Sequence, residues 1–289
     1  MRSLKEIRGK LGSIGSTRKI TSAMKMVSSV KLRKAQDAVL RFVPYRKRLN
    51  AILDRLLSTE TEQVIPLTEK RPVSNVTIVV FSSNTGLCGA FNSNVYKKFI
   101  ATLENYTHLS PENIQIYTVG KRISDLLRRQ KMTFTELREL SEEPTFANAG
   151  TFAKKLTEDF LAEKTDEVVL VYNFFKNAAI QKPLDEILLP VTITNGGEQK
   201  TTGDYILEPT RQELIVDFVP RTVRLHFYNV VLNTLAAEQG ARTTAMQAAT
   251  DNADKLLQEL NIEYNKARQE SITNQILDIV GGAEALQKG

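Results

Sequence analysis

The sequence predicts an α/β protein in which long N- and C-terminal helices form an antiparallel coiled coil flanking a three-layer α/β domain. Three observations carry that prediction. Helical periodicity runs through the first fifty-odd residues and again through the last eighty, while strand-like runs alternate with short helical patterns between them. Such alternation points to a mostly parallel sheet covered by helices. The domain boundaries expected from these patterns are 1–57, 58–208 and 209–289.

The first segment carries fifteen Lys or Arg against three acids (Glu6, Asp37 and Asp54), a net of +12 to Leu57. The whole chain of 289 residues is only +6, so the remainder sums to −6. Small or apolar residues fall at Leu4, Ile7, Leu11 and Ile14, a 3-4-3 helical spacing. After a one-residue phase slip the pattern is read on through Thr17, Thr21, Met24, Ser28, Lys31, Ala35, Ala38, Phe42, Tyr45, Leu49, Ile52 and Leu56. This is a heptad-like seam whose centre holds Thr, Ser and Ala rather than Leu, so a second helix can approach closely. Pro44 is expected to bend the helix or open a turn. At ~1.5 Å per residue the segment would run roughly 80 Å, longer than a domain of about 150 residues is wide.

Residues 58–75 contain two prolines and no period, and read as a linker. Val76–Phe81 is a continuous β-branched run, as in a strand buried on both faces. A turn, SSNTGLCGAFN, and a helical pattern through Val95, Phe99 and Leu103 follow it. Ile114–Val119 reads as a second strand, KRISDLLRRQ as a short helix, and Thr133–Leu140 as an edge strand. Phe152, Leu156 and Phe160 mark another helix before the strand Glu167–Phe174. Ile187–Ile193 is expected to add a strand that Pro190 confines to an edge. Helical signal resumes near Pro209, with a possible break at Pro220, and runs from Arg221 to about Val280. Its stripe is Val231, Thr234, Ala241, Ala245 and Ala248, followed by Leu256 and Leu260, with Ile272, Ile276 and Ile279 at the end. Gly281-Gly282 is expected to stop it. The two long helices are each other's natural partners, antiparallel because the domain joins them.

Several function classes are disfavoured. No run of eighteen apolar residues offers a membrane span, and no apolar leader core interrupts the charges that recur from Arg2 onward. Cys88 is the single cysteine and His108 and His226 lie far apart, so neither a disulfide nor a zinc set is expected. The glycines of Gly86-Leu-Cys-Gly89 follow a strand, where dinucleotide sites occur, but lack the G-x-G-x-x-G spacing. Gly120-Lys121 lacks the rest of a phosphate-binding loop. No catalytic, cofactor-binding or metal-binding residue is therefore expected. The basic helix needs an acidic partner, because twelve net charges repel one another along one helix. An acidic protein surface fits better than a membrane, which favours a bulky apolar face. It also fits better than nucleic acid, for which only Phe42 and Tyr45 could act as aromatic readers.

Three strings carry a resemblance. Lys5-Glu-Ile-Arg8 with TRKITSAMKMV (Thr17–Val27) and Lys34-Ala-Gln36 resembles the N-terminal helix of the gamma subunit of F-type ATP synthase. Gly86-Leu-Cys-Gly-Ala-Phe-Asn92 is similar to that family's central turn. Ala245–Asn252 and Tyr264–Thr273 resemble its C-terminal helix, so the match extends from about residue 3 to Val280. The resemblance implies a Rossmann-like central domain and a non-catalytic rotor shaft. Its terminal helices would wind together inside the ring of alpha and beta subunits, with the lower part on epsilon and the membrane ring of c subunits. Proton (or sodium) flow would turn the shaft past three catalytic sites, at the cytoplasmic side of a bacterial plasma membrane and without insertion into it.

By position, the resemblance places Met24 near an acidic beta-subunit loop, with Arg242 approaching the same loop. It assigns Arg268, Gln269 and Thr273 to a second beta-subunit contact, and Tyr205 and Glu208 to the foot facing epsilon and the c ring. Ile272, Ile276 and Ile279 would form the bearing tip. SSNT before the turn and Ala90 within it depart from the family pattern, and the cysteine-pair insert of light-regulated plastid members is absent. The reading from a different class is a basic coiled-coil adaptor that binds nucleic acid, with a Rossmann-type enzyme behind it.

Overall fold

The structure is a computed structural model and describes residues 3–58, 67–191 and 211–287. The chain divides into two compact units, residues 28–242 and the pair 1–27 with 243–289. The two long helices contribute to both: α1 is Leu4–Ser58 and α6 is Arg211–Gln287.

In the larger unit, β1 (Val76–Phe81), β2 (Ile114–Val119), β3 (Thr135–Glu136), β4 (Glu167–Phe175) and β5 (Gln181–Leu189) form one sheet. Their order is β3-β2-β1-β4-β5, parallel throughout except that β5 returns antiparallel to β4. Helices α2 (Phe91–Glu104), α3 (Lys121–Arg129), α4 (Arg138–Glu142) and α5 (Phe146–Leu161) fill the connections. Alternation along the central strands sends successive side chains to opposite faces. Ile78, Val80, Ile116, Val169 and Val171 pack with Val95 and Phe99 of α2 and with Ile123 and Leu127 of α3. Val79, Phe81, Tyr117, Leu170 and Tyr172 pack with Phe152, Leu156 and Phe160 of α5 and with Val223, Phe227 and Val230 of α6. Both faces are therefore covered, which explains why these strands read as unbroken apolar runs. In the same unit Phe42 of α1 meets Tyr228 of α6 edge-on, ring centroids 5.8 Å apart.

The last part of the expected linker, residues 67–75, is packed against the domain. Leu67 is buried and its carbonyl accepts from Val191 N–H at 2.8 Å. Arg71 lies over the Phe160 ring and donates to the Phe160 carbonyl at 2.9 Å. The Asp166 carboxylate accepts from the backbone N–H groups of Ser74 and Asn75, both at 2.9 Å, fixing the entry into β1.

Five sequence expectations change. The edge strand expected over 133–140 is only Thr135–Glu136, because α4 begins at Arg138. The final strand starts at Gln181 and ends at Leu189, since Pro190 has no N–H for the ladder; the segment expected beyond Val191 lies outside the described residues. Pro44 and Pro220 both lie within continuous helix, so neither opens a turn. Each removes one main-chain bond, while neighbours such as Leu49 and Val223 are held by burial. Gly281-Gly282 does not end α6, which runs to Gln287 through helix-favouring Ala283, Ala285 and Leu286.

The fifth change concerns the seam of α1, which has no phase slip. Thr17 and Arg18 are both exposed, but Arg18 is the one paired with Asp254 of α6, so the heptad passes from Ile14 to Arg18, Thr21 and Ser28, then to Leu32 rather than the exposed Lys31. Ile7, Thr21, Ser28, Leu32 and Leu49 are the buried members of that helix. On α6 the stripe likewise runs through Met246, Ala253 and Leu260, leaving Ala248 and Leu256 exposed.

Candidate functional site

In the smaller unit, residues 4–27 of α1 and 243–287 of α6 run antiparallel. The Thr21 and Thr250 hydroxyls are 2.8 Å apart and Arg18 is paired with Asp254. Rising numbers on one helix thus meet falling numbers on the other. Leu4 and Ile7 face Glu263, Lys266, Ala267, Glu270 and Ser271 across a shallow groove. Residues 4–27 contain six Lys or Arg and one acid, and residues 243–287 three Lys or Arg and seven acids. Part of the counter-charge to the basic helix therefore comes from α6 itself. Exposed pairs such as Arg18–Asp254 contribute only ~0–1 kcal/mol each, so this complementarity sets register more than stability.

The pairing register places Leu4 opposite about residue 267, so about twenty residues of α6 continue past the described start of α1, roughly 30 Å of helix. This stretch displays Ile272, Ile276 and Ile279 at 47%, 55% and 72% exposure. Arg268, Ile272, Ile276 and Ile279 share one stripe, and Gln269, Thr273, Leu277 and Val280 the adjacent one. All eight are exposed, so the structure brings Arg268, Gln269, Thr273 and the three isoleucines onto one continuous face. Leu277 and Val280 belong to the same face; sequence reasoning missed them because it followed a single stripe. Met24 is half-buried on α1 beside exposed Met26 and Val27. Tyr205 and Glu208 lie outside the described residues.

Arg242 differs from the other expected contact residues. It belongs to the larger unit, is 6% exposed, and pairs with Glu238 at 2.7 Å (Nη1 to Oε1). Its Nη2 donates to Thr85 Oγ1 at 3.0 Å and to the Thr85 carbonyl at 3.2 Å, in the turn after β1. Burial raises the Glu238 carboxyl above the usual carboxylate range, against the lowering pull of Arg242 and of Lys31. Sequence reasoning missed Glu238; its signal was the i,i+4 acid-to-base spacing to Arg242 beside the uncharged stripe of Val231, Thr234, Ala241 and Ala245.

The turn itself is tightly specified. Leu87 and Gly89 have φ of 62° and 59°, and Leu87, whose side chain is exposed, lacks the conformational freedom that suits Gly89 to this region. Asn92, in the first turn of α2, accepts from Ser83 N–H at 3.1 Å and donates to Cys88 Sγ at 3.2 Å. Asn84 donates to the Ser141 carbonyl at 2.8 Å and accepts from Lys121 N–H at 3.2 Å, tying the loop after β1 to α4 and to the loop after β2 where α3 begins. These loops lie at the carboxyl ends of β1 and β2, where α/β folds place ligands. Here Val231, Thr234, Leu235 and Glu238 of α6 cover them, leaving a cavity of about 250 Å³. That falls below the ~300 Å³ at which small-molecule pockets begin. Among the described residues no cluster of three His, Cys, Asp or Glu could hold a metal ion. No described helix is long and apolar enough to cross a membrane.

The family model described as ATP synthase matches residues 3–286. The chain belongs to the ATP synthase gamma-chain family. It is 44% identical over 292 residues to the ATP synthase gamma chain of Bacteroides fragilis, covering 99% of this chain and 100% of that one. The gamma chain of Christiangramia forsetii is also 44% identical, over 287 residues and 99% of both chains. Among solved structures, a chain of the Euglena gracilis mitochondrial ATP synthase assembly of OSCP, F1 and c-ring in rotational state 3 superposes with a TM-score of 0.66. It covers 99% of this chain and 95% of that one at 23% identity, a likeness of fold alone. A chain of the rotor of the same enzyme in rotational state 1 gives 0.61 at 23% identity, covering 93% and 98%. Membership makes this chain a central-stalk subunit of the F1 complex, peripheral to the membrane and non-catalytic. The nucleic-acid adaptor reading finds no support in these relatives.

Proposed function

We propose that the chain turns as the shaft inside the ring of alpha and beta subunits, while its lower part, including Tyr205 and Glu208, rests on epsilon and the c ring. Ion-driven rotation of that ring is passed through the shaft to the three catalytic sites, at the cytoplasmic face of the bacterial plasma membrane. The observation that carries this reading is the extension of α6 past the described start of α1, which displays Arg268, Gln269 and Thr273 beside an exposed apolar face. The polar group suits a beta-subunit contact, and Ile272, Ile276 and Ile279 suit a bearing that must slide. Contacts between shaft and ring must form and break every turn, and exposed ion pairs worth ~0–1 kcal/mol are exchanged without a deep trap. Residues 28–58 of α1 keep eight Lys or Arg against two acids, with Lys31, Arg33, Lys34 and Arg41 exposed. They provide a charged surface for acidic loops of the ring.

Met24 is assigned to the beta-subunit loop contact on the N-terminal helix. Met24→Lys adds a cation beside a loop of acids and is expected to lower ion pumping per ATP hydrolysed at least twofold in reconstituted vesicles. Hydrolysis itself should continue. A pumping-to-hydrolysis ratio equal to that of the unmodified enzyme would remove Met24 from the contact.

A further inference from the structure

The face of α6 that packs on the turn after β1 is made of small residues. Ala237 is fully buried and Ala241 nearly so, against Cys88 and Phe91. A Cβ added to Gly240 would lie 3.2 Å from the Phe175 ring and 3.3 Å from the Ala178 Cα, so the backbones are already close. Such a face allows intimate packing at the turn, while the large side chains that seat α6 on the sheet, Val223, Phe227 and Val230, lie earlier along the helix. At the turn itself the long arm is Arg242. Its guanidinium is braced one turn back by Glu238 and reaches out to Thr85 Oγ1, the Thr85 carbonyl and, at 3.5 Å, the Gly86 carbonyl. The turn it grips is itself held to α2 by Asn92, to α4 by the Asn84–Ser141 bond and to the start of α3 by the Lys121–Asn84 bond. Arg242 is also the last residue of the α/β unit before α6 continues into the helical pair.

We propose that Arg242 is a positioning residue for energy coupling: it keys α6 rotationally to the turn at Thr85 and Gly86, so that torque on the α/β domain is passed into the helix. The inference rests on the shaft reading above. It assigns Arg242 an action within its own chain, through a fork of donors, instead of a charge offered to the ring. The two roles differ in what lysine can do. A point charge serves an acidic loop, whereas lysine cannot span Glu238 and two turn acceptors with a rigid fork.

The test uses the complete enzyme reconstituted in vesicles, reading ATP-driven pumping and ATP hydrolysis for Arg242→Lys, Thr85→Val and the double variant. Arg242→Lys is expected to lower pumping per ATP about threefold or more with hydrolysis retained, and Thr85→Val to lower it less. The double variant should be no worse than Arg242→Lys alone, because both changes remove one interaction. Full coupling in Arg242→Lys would overturn the proposal, as would strictly additive losses. A failure of the unmodified chain to assemble with alpha and beta subunits would instead sink the shaft reading itself, so the two ideas fail separately. Thr85→Val leaves the Arg242–Glu238 pair in place and keeps the test decisive if the arginine variant assembles poorly.

Discussion

Replacing Gly120 with alanine is expected to cost the α/β unit on the order of 3–5 kcal/mol, the sum of backbone strain and overpacking. Gly120 lies between β2 and α3 with φ of 103°, a conformation that L residues adopt only under strain. Its ideal Cβ would also sit 2.3 Å from the Ser82 carbonyl oxygen, which is backbone and cannot swing away. Ser82 is not free to move, since its N–H donates to the Val119 carbonyl at 2.7 Å and its hydroxyl accepts from Ile123 N–H at 3.1 Å. At roughly 2–4 °C per kcal/mol for a unit of this size, thermal unfolding should begin some 10 °C lower. The measurement is a calorimetric or circular-dichroism melt of the isolated chain. An unchanged midpoint would mean that the β2–α3 corner is not built as described.

The second large effect concerns the buried pair on α6, whose two members are not equivalent. Arg242→Leu strands the Glu238 carboxylate in a site only 12% exposed and should cost about 3–5 kcal/mol, as removal of one partner of a buried pair does. Glu238→Gln should stay within about 1 kcal/mol near neutral pH, because Arg242 keeps the acceptors of Thr85 and Gly86. Combining the two should recover most of the loss from Arg242→Leu. The pH dependence follows from burial raising the Glu238 carboxyl. A group raised on folding contributes stability that is complete below its unfolded value, about 4.3, and lost as pH climbs through the folded one. Relative to the parent, Glu238→Gln should therefore gain stability between about pH 4.3 and the raised value and hold level above it. Urea unfolding of the four chains between pH 4 and 8 reads this out. Equal losses from Arg242→Leu and Glu238→Gln would contradict the asymmetry.

The elements legible in the sequence were those whose residues answer to one environment. Val76–Phe81 and Ile114–Val119 are buried on two faces, so their β-branched runs declared them without help from periodicity. β5 was half hidden because an edge strand with one exposed side tolerates Lys182, Asp185 and Glu186, which dilute the apolar signal. The phase slip assigned near Thr17 came from reading apolarity alone. The true seam position is Arg18, and its partner Asp254 lies 236 residues along the chain, beyond any local pattern. Leu32 was passed over for Lys31 for the same reason, one slip having displaced the count. The continuation of α6 through Gly281-Gly282 reflects the weakness of a propensity of ~1 kcal/mol per glycine as a stop signal without a following proline. On the functional side, Arg268, Gln269 and Thr273 could be placed by string resemblance, and the structure adds that they share a face with Leu277 and Val280. The inward turn of Arg242 could not be read in advance, because the turn that accepts its hydrogen bonds is more than 150 residues away in sequence.

The central claim is that this chain rotates as a body within the ring. The direct measurement immobilises the reconstituted F1 complex through its beta subunits and attaches an optical probe to a single cysteine introduced on the exposed surface of α5, in a Cys88→Ser background. With ATP, the probe should turn in one direction, pausing three times per revolution, and should stop when nucleotide is removed. A probe that stays fixed relative to the ring while ATP is hydrolysed at the full rate would contradict the account.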